Sequence, residues 1–223
     1  MLDATDQCLR KILYIGDPDM IFVKNESQLN YHCNEIKQSF ECIRRFGKCL
    51  RLLPKLMFTM IARGGKKMIK NRCDKVDGRN EFLKHSQCFR YPNVYDFNKC
   101  VDKSVIQMNL INKTAKINEI IPALCCALQD TIKCLRIKGE EHCANYTAPG
   151  AGDYVASVTK SVMKDFIELS CGKRDTLEEC YKIEAKWMKQ FDEIGEKWHS
   201  IKPQRNSFFS PLIGIAERLE SPI

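Results

Sequence analysis

The chain has 223 residues, of which 44% are hydrophobic, so it can form a packed core and is not a disordered tail. Its longest apolar runs fall short of the roughly 18 residues that a membrane helix needs, which argues against a transmembrane segment. The formal net charge of +8 belongs to the first half, because residues 1–99 carry 19 Lys+Arg against 11 Asp+Glu, whereas residues 100–223 carry 17 of each.

The chain contains 13 cysteines, a number that indicates an oxidising compartment. Cytosolic thiols stay reduced, whereas secreted proteins use disulfides to stabilise small cores. Three acceptor triplets agree with this placement and predict a glycoprotein modified at Asn25, Asn112 and Asn145. The opening MLDATDQC lacks the basic start and apolar run of a signal peptide, so we expect a mature form or a fragment. We therefore predict a secreted, extracellular protein, for which nucleic acid is not an expected partner.

In chain order, the first predicted helix covers about residues 27–50, because apolar residues recur there at intervals of three and four. That stripe consists of Cys33, Ile36, Phe40 and Ile43. We expect a tight break at Pro54, a second helix to about residue 73, and a short third segment that ends near Cys88. Alternating strand patterns are nearly absent, so the predicted fold class is all-α.

The second predicted helix contains the densest basic stretch, RGGKKMIKNR at residues 63–72. Such a cluster can bind a sulfated glycan, an anionic lipid head group or an acidic protein surface. The candidate anion-binding residues are Arg63, Lys66, Lys67, Lys70 and Arg72. The alternative is an ordinary solvated helix face.

The cysteine positions indicate an internal repeat. An offset of 92 residues maps three cysteines of the first half onto three of the second: Cys8, Cys33 and Cys42 onto Cys100, Cys125 and Cys134. With small drifts in register, three more have counterparts: Cys49, Cys73 and Cys88 with Cys143, Cys171 and Cys180. We predict two diverged six-cysteine helical repeats cross-linked by disulfides, at residues 1–99 (basic) and 100–200, followed by a tail at 201–223. The six cysteines of a repeat allow 15 connectivities, so the pairing stays open.

Cys126 is the cysteine without a counterpart, and it lies next to Cys125 in the stretch PALCCALQDTIKC. Consecutive helical residues point about 100° apart, so the two cannot take partners in the same direction. Cys126 is therefore the candidate free thiol, buried as a small hydrophobe, with an intermolecular disulfide as the alternative.

The second half repeats the helical pattern from about residue 116. One apolar stripe consists of Val155, Val158, Val162, Phe166 and Leu169, and another of Leu177, Cys180, Trp187, Phe191, Ile194 and Trp198. Such stripes form a packed core far more often than a ligand site. Thr176 and Glu179 fit a capping box at the start of the last helix, and Pro54 and Pro122 suit first-turn positions. The tail from Lys202 is either a short apolar strap or an unstructured end.

The stretch CCALQD resembles the CCxxHD motif of secreted phospholipases, but Gln129 stands where that motif has its catalytic histidine. An amide cannot accept the proton of an attacking water. His85 and Cys88 have the spacing of metal ligands, yet zinc needs thiolates, for which disulfide formation competes. We predict no catalytic site, no metal site and no cofactor.

The segments CNEIKQSFECIRRFGKCL (residues 33–50) and RCDKVDGRNEFLKHSQC (residues 72–88) resemble uncharacterised cysteine-rich helical proteins secreted by arthropods. More loosely, they are similar to insect haemolymph glycoproteins and to a nematode family of secreted twelve-cysteine helical domains. The resemblance covers about residues 8–185. It implies an extracellular helical protein and brings no catalytic residues with it.

The leading functional hypothesis is a secreted, non-enzymatic protein that binds an extracellular partner, such as another protein or a sulfated glycan. One alternative is a carrier of a lipid or small apolar molecule, because disulfide-tied helices can enclose an apolar cavity. Another is a venom or salivary effector whose basic half meets an anionic membrane or channel surface.

Overall fold

The computed structural model describes residues 8, 23–89, 94–143, 150–202 and 209–220. Within these ranges the chain is helical and contains no strand, which confirms the all-α prediction. The helices are α1 (Glu26–Gly47), α2 (Leu52–Asp74), α3 (Val76–Ser86), α4 (Val94–Thr114), α5 (Ile117–Cys143), α6 (Ala151–Ser170), α7 (Leu177–Ile183), α8 (Ala185–Glu196) and α9 (Phe209–Glu220). Short 3-10 turns follow α3 at Gln87–Phe89 and α8 at Trp198–Ser200.

Local signals explain where several helices begin. The Asn25 side chain caps α1 by accepting a hydrogen bond from the Gln28 amide at 3.0 Å, and Thr176 caps α7 by accepting from the Glu179 amide at 3.3 Å. Pro54 lies in the first turn of α2, as predicted, because the break precedes it at residues 48–51. Pro122 lies inside α5 rather than in its first turn, because that helix already begins at Ile117.

The last predicted helix is divided into α7 and α8 at Glu184. Arg174 forms an ion pair with the Glu184 carboxylate across this corner, with Nη2 to Oε1 at 2.6 Å. In the tail, residues 209–220 form α9, whose apolar side packs on α2 and α4. Arg218 of α9 donates hydrogen bonds to the carbonyls of Ile111, Asn112 and Ala115, which lie at the end of α4.

The helices approach one another closely where glycines lie at the crossings. A Cβ atom on Gly64 of α2 would lie 2.1 Å from the Val162 carbonyl oxygen of α6, and one on Gly152 of α6 would lie 2.1 Å from the Arg136 carbonyl oxygen of α5. The central helix α5 packs against α4 and α6, and α6 also packs against α2. The described parts of both halves therefore share one core.

The disulfides join six cysteine pairs within the described residues: Cys8–Cys42, Cys33–Cys73, Cys88–Cys143, Cys100–Cys134, Cys125–Cys171 and Cys126–Cys180. Two bonds of the first half have equivalents in the second under the predicted mapping. The Cys8–Cys42 and Cys100–Cys134 bonds each span 34 residues. The Cys33–Cys73 and Cys125–Cys171 bonds are the second equivalent pair. These four bonds fit a duplication, which stays a prediction because the Cys88–Cys143 and Cys126–Cys180 bonds do not follow it.

The assignment of Cys126 as the free thiol is wrong, because Cys126 is bonded to Cys180. The exposed free thiol is Cys49 instead. The angular argument explains the outcome: Cys125 points from α5 to Cys171 after α6, and Cys126 points to Cys180 of α7. Spacing identified the framework but gave no information about these directions.

The predicted domain limit between residues 99 and 100 falls inside α4. The predicted limit coincides with Cys100, whereas the helix that carries this cysteine begins six residues earlier, at Val94. The Cys88–Cys143 disulfide links the two predicted repeats covalently.

Candidate functional site

An apolar cavity of about 90 Å³ lies where α2, α3 and α6 meet α5. We call it the cavity. Its walls are almost entirely apolar or aromatic: Met68, Arg72, Phe82, Phe89, Val101, Leu128, Thr131, Leu135, Tyr154, Val155, Val158, Thr159, Val162, Met163 and Phe209. Walls of this composition suit an apolar ligand.

The α6 wall includes three valines of the stripe that the sequence assigns to the core, together with Tyr154, Thr159 and Met163. Val155 and Val162 are buried there, and Val158 is half-buried. These side chains are short and β-branched, so they do not reach across to α2 and α3 as leucine or phenylalanine would. The stripe therefore forms core and cavity wall at the same time.

Among the described residues that line the cavity, Arg72 is the one with a charged side chain, and it is only 4% exposed. Its guanidinium carbon lies 4.2 Å from the centroid of the Phe82 ring, an arrangement that holds the cation over an aromatic face. Tyr154 lies beside it. Burial raises the pKa of the Tyr154 hydroxyl, and the charge of Arg72 opposes that rise.

Two histidines lie next to these rings. His85 stacks on Tyr154 with ring centroids 4.7 Å apart, and His32 stacks on Phe82 at 6.3 Å. Burial lowers the pKa of His85, and burial together with the charge of Arg72 lowers the pKa of His32 to about 3. Both imidazoles are therefore neutral at pH 7.

A second, more open space of about 400 Å³ adjoins the cavity between α2, α3 and α6. We call it the groove. The two spaces share the side chains of Met68, Arg72, Tyr154 and Val158. The other residues of the groove are mostly polar: Lys67, Asn71, Lys75, Gly78, Glu81, Ser157 and Ser161. The apolar cavity thus adjoins a polar groove that faces solvent.

The five predicted anion-binding residues do not form one surface patch. Lys67 and Arg72 line the groove, whereas Lys66 and Lys70 are exposed and do not line it. Arg63 forms an ion pair with Asp165 of α6 at 3.7 Å. Arg72 is buried and belongs to the cavity wall, so it is not part of an exposed basic surface, and its anion-binding role stays a prediction.

The phospholipase-like stretch lies in the core at a different position. The Asp130 carboxylate accepts a hydrogen bond from the Gln107 amide at 2.6 Å and forms an ion pair with the Lys103 ammonium at 2.7 Å, and all three residues are buried. Gln129 is also buried. Asp130 thus neutralises a buried cation, which is a structural role.

The described residues include no group of three or more His, Cys, Asp or Glu side chains arranged to hold a metal ion. Cys88, which the sequence places near His85, is bonded to Cys143. In the same part of the chain, none of the helices combines the length and apolar character needed to cross a bilayer.

The predicted glycosylation sites differ in their surroundings. Asn25 is exposed at the start of α1. Asn112 is half-buried, and its side-chain nitrogen would lie 3.0 Å from a Cβ atom on Gly214 of α9, so a glycan there would require α9 to move. Asn145 lies outside the described residues.

Comparison with protein-family models, curated proteins and solved structures gives no match. The resemblance to secreted arthropod and nematode proteins therefore stays a prediction. The geometry of the cavity and groove is the remaining evidence on function.

Sequence reasoning did not find the aromatic residues of the site, Phe82 and Tyr154. They belong to different helices, and no spacing rule connects residues 72 apart in the chain. Arg72 offers a partial signal, because it follows Met68 and Ile69 on the apolar side of α2 and is surrounded by core residues.

Proposed function

We propose that this chain is an extracellular, non-enzymatic binding protein that carries a small apolar ligand in the cavity. The observation that carries the proposal is the 90 Å³ void with apolar walls in a molecule held by six disulfides. A ligand that occupies this space would bury the apolar walls and add van der Waals contacts to them, so its binding would stabilise the fold.

The disulfides support this function because they hold the cavity walls in place without a filled interior. Cys33–Cys73 ties α1 to the end of α2, and Cys125–Cys171 ties α5 to the end of α6. Disulfides reduce the entropy of the unfolded chain and thereby stabilise the folded state, typically by about 2 to 4 kcal/mol each. This stabilisation offsets the packing contacts that the unfilled cavity lacks.

The test is a titration with parinaryl alcohol, a neutral fluorescent polyene with one slender unbranched chain, using Val158→Phe as the blocking variant. Val158 borders both the cavity and the groove, so a phenyl ring there occupies the passage between them. We expect the variant to bind the probe at least about tenfold more weakly than the unmodified chain, a loss of about 1.4 kcal/mol.

Leu169→Phe is the matched control, because Leu169 lies on the same helix, is 76% exposed and does not line either space. It should bind the probe as the unmodified chain does. Equal binding by Val158→Phe and Leu169→Phe, or no binding by any form, would show that the cavity is only a packing defect.

A further inference from the structure

We propose that the carried ligand is an amphiphile with one slender apolar chain and an anionic head group, the chain lying in the cavity and the head group in the groove. The inference rests on the proposed function, since it names the ligand class of the same site. Three features of the two spaces support it: their charge, their depth and their size.

The groove has the composition of an anion site. The described residues that line it include three cations, Lys67, Arg72 and Lys75, and one carboxylate, that of Glu81, so positive charge is in excess among them. Ser157 and Ser161 add hydroxyl groups that can donate hydrogen bonds. A carboxylate or phosphate is the group that accepts from ammonium, guanidinium and hydroxyl donors together.

The three cations of the groove differ in how deeply they are buried. Arg72 is buried at the boundary between cavity and groove, and the Phe82 ring fixes its guanidinium. Lys67 and Lys75 are exposed at the outer part of the groove. An anion that passes the two lysines therefore reaches a fixed cation in a poorly solvated position, where its attraction is strongest. Beyond Arg72 the walls are apolar, so only the uncharged part of a ligand is stabilised there.

The size of the cavity selects a narrow chain. An engineered apolar cavity of about 150 Å³ holds benzene, and the cavity here measures about 90 Å³. It accepts a segment of one alkyl or isoprenoid chain and excludes a two-chain lipid. The groove, at about 400 Å³, has room for the head group and the rest of the chain.

The test compares lauric acid with lauryl alcohol as competitors for bound parinaryl alcohol, because the two competitors share a chain and differ in head group. The test variant is Lys67→Gln with Lys75→Gln, and its matched control is Lys66→Gln with Lys70→Gln, which removes the same charge from exposed positions outside the groove. We expect the unmodified chain and the control to prefer the acid by about fivefold to tenfold, and the test variant to lose that preference.

The outcomes separate this inference from the function on which it rests. If acid and alcohol displace the probe equally well from the unmodified chain, the carrier function stands and the anionic head group is wrong. If both pairs of lysine substitutions reduce the preference equally, the groove is not the head-group site. If the chain binds neither probe nor competitor, the carrier function itself fails.

Discussion

His32 is a buried imidazole that makes the stability of the fold depend on pH. Burial and the charge of Arg72 lower its pKa from 6.5 to about 3. The unfolded chain therefore binds more protons than the folded one between these two values, and the free energy of unfolding falls as the pH drops through this window. The folded state loses about 2 kcal/mol through His32 between pH 7 and pH 5.

Urea unfolding at pH 7 and pH 5 measures this loss. His32→Gln replaces the titrating ring with an amide, so we expect a weaker pH dependence in that variant. His199→Gln is the control, because His199 is exposed on the 3-10 turn at Trp198–Ser200. An identical pH dependence in His32→Gln and in the unmodified chain would contradict the assignment.

The sequence predicts which cysteines belong to the disulfide framework better than it predicts which cysteines bond to each other. The sequence identifies the cysteines of the framework and the angular separation of Cys125 and Cys126, but it misassigns the free thiol. Which thiol stays unpaired depends on whether a second sulfur lies along the direction of each side chain. The position of α7 places the sulfur of Cys180 next to that of Cys126, whereas Cys49 lies exposed just after the end of α1.

Gly64 and Gly65, which are adjacent in α2, allow a test of how closely α2 packs against α6 where the two helices cross. A Cβ atom on Gly64 would lie 2.1 Å from the Val162 carbonyl oxygen, whereas one on Gly65 would meet only the Phe40 ring at 3.8 Å. Gly64→Ala forces α2 away from α6 and should destabilise the fold by about 1 to 3 kcal/mol. Gly65→Ala should stabilise it by about 0.5 to 1 kcal/mol, because alanine favours the helix.

Denaturant unfolding of the two single variants checks these opposite signs, and each variant serves as the control for the other. A Gly64→Ala variant as stable as the unmodified chain would show that the backbones of α2 and α6 are not in contact at this crossing.

Helix positions were largely predictable, because apolar spacing and capping residues are local signals. The predicted first helix at 27–50 corresponds to Glu26–Gly47, and the second ends within a residue of its predicted end. The missed features depend on tertiary packing. The division at Glu184 is accompanied by the ion pair with Arg174, and α9 is held to α4 by Arg218, which no periodicity indicates.

At the scale of the whole molecule, the two halves form one covalently linked helical body rather than two independent repeats. Cys88–Cys143 crosses between them, and α2 packs on α6. The cavity lies at this junction, with Arg72 and Phe82 from the first half and Tyr154 and Val158 from the second. Sequence reasoning kept a ligand-carrying function open but did not locate the site, because neither half contains it alone.

The measurement that tests this account most directly is a non-reducing peptide map, with free-thiol labelling, of the protein expressed through the secretory pathway. We predict one labelled cysteine, Cys49, together with peptides that link Cys88 to Cys143 and Cys126 to Cys180. Widespread labelling would contradict the extracellular placement. Label on Cys126, or a Cys88 bonded within its own half, would contradict the single body and the ligand site at its junction.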